Sequence, residues 1–198
     1  MFPFKKDSGM DITPHDALLV VDVQNDFCPG GALGVPGGDG VVPPINRIMG
    51  RFDHLVFSRD WHPQDHCSFS DHPEFRDGSW PPHCVQDSPG ADFHGSLRVP
   101  LDAVFIYKGT DPDTEAYSAF SGTPLAEELR RRNITRLFIT GLATDYCVKF
   151  TTLDALDLGF EVVVVTDGCR GIAEESIKAA LEEIQRRGAV LVRSGDFE

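Results

Sequence analysis

Six short apolar runs, spread along the whole chain, limit what this sequence can fold into. They are ALLVV from Ala17, HLVFS from His54, AVFIY from Ala103, RLFIT from Arg136, EVVVV from Glu161 and AVLVR from Ala189. The runs are near-continuous rather than alternating, the pattern of strands buried on both faces, as in a parallel sheet. Helical stretches separate most of them. Residues 123–132 have Thr123 as N-cap, Pro124 at the first helical position and Glu127 early in the helix. Residues 145–158 set Tyr146, Phe150, Leu153 and Asp157 along one ridge, with Gly159 as a stop. Residues 173–187 set Ile177, Ala180, Leu181 and Ile184 on one face, followed by Gly188. The β–α alternation predicts a three-layer α/β/α sandwich around a central, mostly parallel six-stranded sheet. The 198 residues fit one domain, 1–198, with residues 1–15 as a loosely ordered lead-in.

A net charge of −13 argues against nucleic acid or an anionic membrane as partner, since both need a basic footprint. No apolar run approaches the roughly 18 residues needed to span a bilayer. The first residues, MFPFKKDSGMDITPHD, lack the apolar core and cleavage site of a signal peptide. Five cysteines, without disulfide-framework spacing, fit a reducing, cytoplasmic setting.

In open parallel sheets the ligand site lies beyond the carboxyl ends of the strands. Four runs deliver a distinctive polar residue there: Asp22, Asp60, Lys108 and, through the Gly141 corner, Cys147. Together they suit nucleophilic acyl transfer. A cysteine titrates at about 8.5 unless helped, and Cys147 in a helix's first turn, with Thr144 as N-cap, meets the positive end of the helix dipole. Lys108 adds positive charge, and Asp22 can take the thiol proton and return it to a departing amine. Gly141 and Ala143 let backbone N–H groups face a bound carbonyl, as an oxyanion hole requires. Spacing alone leaves open whether Cys147 is a nucleophile or a small buried hydrophobe. Asp167, Cys28, Cys67, Cys84 and Cys169 read as structural.

From Asp60 to Pro100 the chain is rich in His, Pro, Asp and Gly and has little periodicity, which in a compact domain points to function. DWHPQDH and WPPHC place Asp60, His62, His66 and His83 on this loop, a donor set for a divalent metal such as zinc, manganese or iron. A structural zinc site using Cys67 and Cys84 is the alternative. Phe27 and Trp80, in polar loops, offer flat faces for a ring, and Tyr117 follows Lys108. The glycine-rich residues 29–40 lack the GK[ST] ending of a phosphate loop and read as a plain loop.

VVDVQNDF, RDWHPQDHCSF, WPPHCVQDSPGADFH, YKGTDPDTEAYSAF and GLATDYCV, in that order, resemble the nicotinamidases and pyrazinamidases of the isochorismatase-like, or cysteine hydrolase, superfamily. The likeness runs from about Ala17 to Val192. It implies Asp22, Lys108 and Cys147 as catalytic triad, and Asp60, His62 and His83 as ligands of one zinc, iron or manganese ion, with His66 as a further metal-site histidine. It also implies a cis peptide at Leu142-Ala143, an oxyanion hole from the N–H groups of Ala143 and Cys147, and a ring pocket of Phe27, Trp80 and Tyr117. The implied activity is hydrolysis of nicotinamide to nicotinate and ammonia in NAD salvage, by a monomer or homo-oligomer acting on a small molecule. Isochorismatases and N-carbamoyl amidohydrolases of the same superfamily lack this Asp-His-His…His loop. A metal-stabilised, non-catalytic binding module is the rival outside the enzymes. The acidic run Asp111, Asp113 and Glu115 after Lys108 departs from the resemblance.

Overall fold

Each apolar run forms a strand in the computed structural model, which describes residues 10–75 and 78–197. The strands are β1 Asp16–Val21, β2 His54–Asp60, β3 Val104–Lys108, β4 Arg136–Leu142, β5 Glu161–Arg170 and β6 Val190–Val192. They form one sheet in the order β3-β2-β1-β4-β5-β6, and every neighbouring pair is parallel.

Side chains of a strand point alternately to opposite faces, and β1 shows why its run is apolar throughout. Leu18 and Val20 enter one core cluster with Phe57 and Phe138, whereas Ala17, Leu19 and Val21 enter another with Leu137 and Ile139. Helix α1, Val42–Ile48, covers the first cluster with Val42, Ile45 and Ile48. Helices α2 Leu125–Arg131, α3 Lys149–Asp157 and α4 Glu174–Arg186 cover the second, through Leu125 and Leu129, Ala155, and Ile184 respectively. The result is the expected three-layer sandwich, with a sheet that is parallel throughout.

The structure describes the lead-in from Met10 onward. Residues 1–9 lie outside the described residues, but the rest of the segment is held down. The Met10 N–H donates to Asp196 O at 3.0 Å, and Met10 and Ile12 pack against the first cluster. Arg136 grips Asp16 through two hydrogen bonds of 2.8 and 2.7 Å and also takes Asp11 O at 2.8 Å. A loose segment would leave Met10 and Ile12 in water; docking them removes that apolar surface.

The chain steps outward from β1 to β3, then returns to the other side of β1 at β4. The carboxyl ends of β1 and β4 therefore flank a switch point, where such sheets leave a crevice. Gly141, at φ +118°, permits this approach, because a Cβ there would lie 1.9 Å from Val21 O.

Candidate active site

All four strand-end residues meet at this crevice. Lys108 ends β3 and is completely enclosed. Its Nζ lies 3.0 Å from Asp22 Oδ2, 3.0 Å from Ala116 O and 3.5 Å from Cys147 Sγ, and it donates a short hydrogen bond to Asp60. An oxygen of Asp22, one of Asp60 and Cys147 Sγ all lie within 4.8 Å of one another. That trio has the make-up of a cation site, and the lysine ammonium is the cation beside it. Burial would push Lys108 down, but Asp22 and Asp60 outweigh it and hold the lysine well above its usual range, so it stays charged.

Asp22 follows β1 in a left-handed conformation (φ +49°), a strain typical of functional turns. Its Oδ1 accepts a 2.7 Å bond from Ser58 Oγ, and its Oδ2 faces the Lys108 ammonium at 3.0 Å. Burial raises the Asp22 pKa against the pull of Lys108. Burial also drives the Cys147 thiol well above its usual value, despite the Lys108 ammonium. Cys147 therefore rests as a thiol beside a carboxylate of raised basicity.

The turn carrying Cys147 differs from the expected helix start. Thr144–Val148 form a wide π-helical turn before α3, and Ala143 holds the cap position in an extended conformation without any side-chain cap. Thr144 is thus not an N-cap. The Ala143 carbonyl instead accepts the N–H groups of both Tyr146 and Val148, at 3.1 Å each, and closes the turn. Such turns recur at functional sites. The Leu142-Ala143 peptide is cis.

Beside Lys108, ligand atoms of Asp60, His62 and His83 also lie within 4.8 Å of one another, all buried. His62 Nδ1 lies 2.9 Å from Gly109 O and His83 Nδ1 lies 2.8 Å from Pro81 O, so each ring donates on that side and keeps Nε2 as a lone pair. Metal-binding histidines are commonly oriented by this kind of backbone bond. Burial pushes His83 down to about 4, leaving it neutral at pH 7 as a ligand must be. Asp60 is held well below the carboxylate range, since Lys108 and His62 outweigh its burial. The donor set fits a divalent ion of the zinc, iron or manganese type. His66 is placed differently: it packs on His62 at 4.1 Å between ring centroids, outside the ligand group. Its Nδ1 lies 2.8 Å from Ser68 Oγ and its Nε2 3.2 Å from Thr114 O, which engages both nitrogens.

Cys147, Asp60 and His83 open onto one cavity of about 450 Å³, counted with its mouth, and Phe27, Trp80, Tyr117 and Ala143 line it as well. Trp80 Nε1 donates to Tyr117 OH at 3.0 Å, and both rings contact Tyr146. The walls thus suit a flat ring. Two buried residues escaped the sequence reading. Gln24 accepts the Asp60 N–H at Oε1 (2.8 Å) and donates Nε2 to the carbonyls of Asp60 and Ala91 (2.8 and 2.9 Å), fixing the backbone of Asp60. Ser58 fixes Asp22. Polar residues inside or just past an apolar run were the signal available for both. All five cysteines are free thiols, and Asp167 accepts two bonds from Ser194, a structural role.

A thiol, a carboxylate and a lysine thus meet at the switch point of a three-layer α/β fold. Residues 16–196 match the isochorismatase domain model, and the chain belongs to that family. It is 45% identical to the nicotinamidase of Escherichia coli K12, covering 93% of this chain and 98% of that one. It is 43% identical to the nicotinamidase/pyrazinamidase of Mycobacterium tuberculosis H37Rv, covering 90% and 98%. The crystal structure of the Pyrococcus horikoshii pyrazinamidase in complex with zinc superposes with a TM-score of 0.84, at 48% identity over 91% of this chain and 99% of that one.

Proposed function

We propose that the protein is a metal-dependent nicotinamidase that also accepts pyrazinamide. It converts the ring carboxamide to the acid and ammonia, and so serves NAD salvage. The observation that carries this reading is the meeting of Asp22, Lys108 and Cys147 on the wall of an aromatic cavity that also holds Asp60 and His83.

Asp22 takes the Cys147 proton as Sγ attacks the carboxamide carbon, and a C–S bond forms. The N–H groups of Ala143 and Cys147 receive the charge that builds on the amide oxygen. Asp22 returns its proton to the departing nitrogen, the C–N bond breaks, and ammonia leaves a thioester on Cys147. Asp22 then takes a proton from water, whose oxygen attacks the thioester carbon; the C–S bond breaks, the acid leaves, and the proton held by Asp22 passes to Sγ to restore the thiol. Lys108 stays charged and holds Asp22 and Asp60 in place. Phe27, Trp80 and Tyr117 pack the ring. Asp60, His62 and His83 would hold the metal, with His66 supporting His62. When bound, the ion supplies a Lewis-acidic anchor for the ring nitrogen.

The test is ammonia release from a panel of amides, with elemental analysis of the same preparation. Nicotinamide and pyrazinamide are expected to be turned over, and benzamide, which lacks the ring nitrogen, much more slowly. Removing the metal with a chelator is expected to cut activity by at least about tenfold, reversibly, while the fold survives. Benzamide turned over as fast as nicotinamide would refute the anchoring role. Unfolding on chelation would instead mark a structural metal.

No helix among the described residues is long and apolar enough to cross a membrane.

A further inference from the structure

Asp145 is 8% exposed and takes no part in the chemistry above. Its carboxylate accepts the Ile172 N–H, at 3.1 Å to Oδ1 and 3.2 Å to Oδ2, and the Ser176 hydroxyl at 2.5 Å. Ile172 lies between the end of β5 and the start of α4, and Ser176 is in the first turn of α4. The intervening Gly171 leaves room for this contact, because a Cβ there would lie 2.7 Å from Asp145 Oδ1 and 2.4 Å from Ile177 Cγ1. Asp145 itself is in the Thr144–Val148 turn, two residues before Cys147. Ile172 and Cys147 both line the cavity. One buried carboxylate thus ties the nucleophile's turn to the loop that supplies the Ile172 wall.

We infer that Asp145 is a positioning residue, setting both the placement of the Cys147 thiol and the width of the slot beside Ile172. The inference rests on the nicotinamidase reading for its substrate, though not for its geometry. The carboxylate also stands at the N-terminal end of a 13-residue helix, where backbone N–H groups point outward. A plain helix-end contact would stabilise the fold and leave the chemistry alone. A strut would change both kcat and KM, because small displacements of a nucleophile cost rate steeply.

The experiment compares Asp145→Ala, Asp145→Asn and Ser176→Ala with the parent protein in metal-loaded form. It measures kcat and KM for nicotinamide, the thermal midpoint, and the rate at which iodoacetamide alkylates Cys147, followed by peptide mass spectrometry. Asp145→Ala is expected to lower kcat by about tenfold or more and to raise KM, with an altered Cys147 alkylation rate. Asp145→Asn keeps an acceptor for the Ile172 N–H and should recover most of the loss. Ser176→Ala removes one hydrogen bond and should fall between, and it carries the test if Asp145→Ala does not fold. Parental kcat, KM and alkylation rate in folded Asp145→Ala, or in Ser176→Ala when the former does not fold, would overturn the inference, whatever the thermal midpoint. A parent protein inactive on nicotinamide would count against the substrate reading, and the alkylation rates would still decide the role of Asp145.

Discussion

Replacing Cys147 with alanine is expected to lower nicotinamide turnover by at least about 10⁴-fold, since no second nucleophile can form the acyl intermediate. The fold should survive. The change deletes one sulfur from a cavity wall, and Lys108 keeps Asp22, Asp60 and the Ala116 carbonyl as partners. Asp22→Asn should be almost as damaging, because a thiol raised by burial cannot lose its proton without the neighbouring carboxylate. Groups that act as a unit fail together rather than additively. Ammonia release and thermal unfolding on the same samples provide the check. Retention of more than a few per cent of parental turnover by Cys147→Ala would rule out the nucleophile.

The second large effect falls on stability. Lys108→Met should destabilise the metal-free protein by about 3–5 kcal/mol, the usual result of removing one partner of a buried charge cluster. Methionine fills most of the lysine's volume, so packing is not the main loss. The loss comes from Asp22 and Asp60, both buried and close together, which are left without the ammonium between them. Adding Asp22→Asn to Lys108→Met should restore part of the stability by removing one uncompensated charge. Denaturant unfolding measures both. A Lys108→Met protein within about 1 kcal/mol of the parent would contradict the buried-charge account.

Much of this architecture was legible in the chain because its signals are local. A strand buried on both faces must be apolar at successive residues, so all six strands showed themselves as runs. Polar residues at four run ends then stood out against that background. What escaped depends on contacts between distant residues. Gln24 bonds Asp60, 36 positions away, and Asp145 bonds Ile172, 27 positions away; neither leaves a periodic trace. The strand order, which makes neighbours of the Asp22 and Cys147 loops, follows from packing rather than from any one segment. Thr144 misled for a related reason. Its residue type suits an N-cap, but the doubly used Ala143 carbonyl decides the form of the turn. His66 shares its loop with His62, yet Ser68 and Thr114 claim its nitrogens.

The most direct test of the central claim is a rapid quench in acid during turnover of nicotinamide, with peptide mapping by mass spectrometry. A nicotinoyl group should appear in thioester linkage on the peptide containing Cys147, rise and decay with turnover, and be missing from Cys147→Ala. Nicotinate formation at the parental rate with the acyl group on another residue would contradict it.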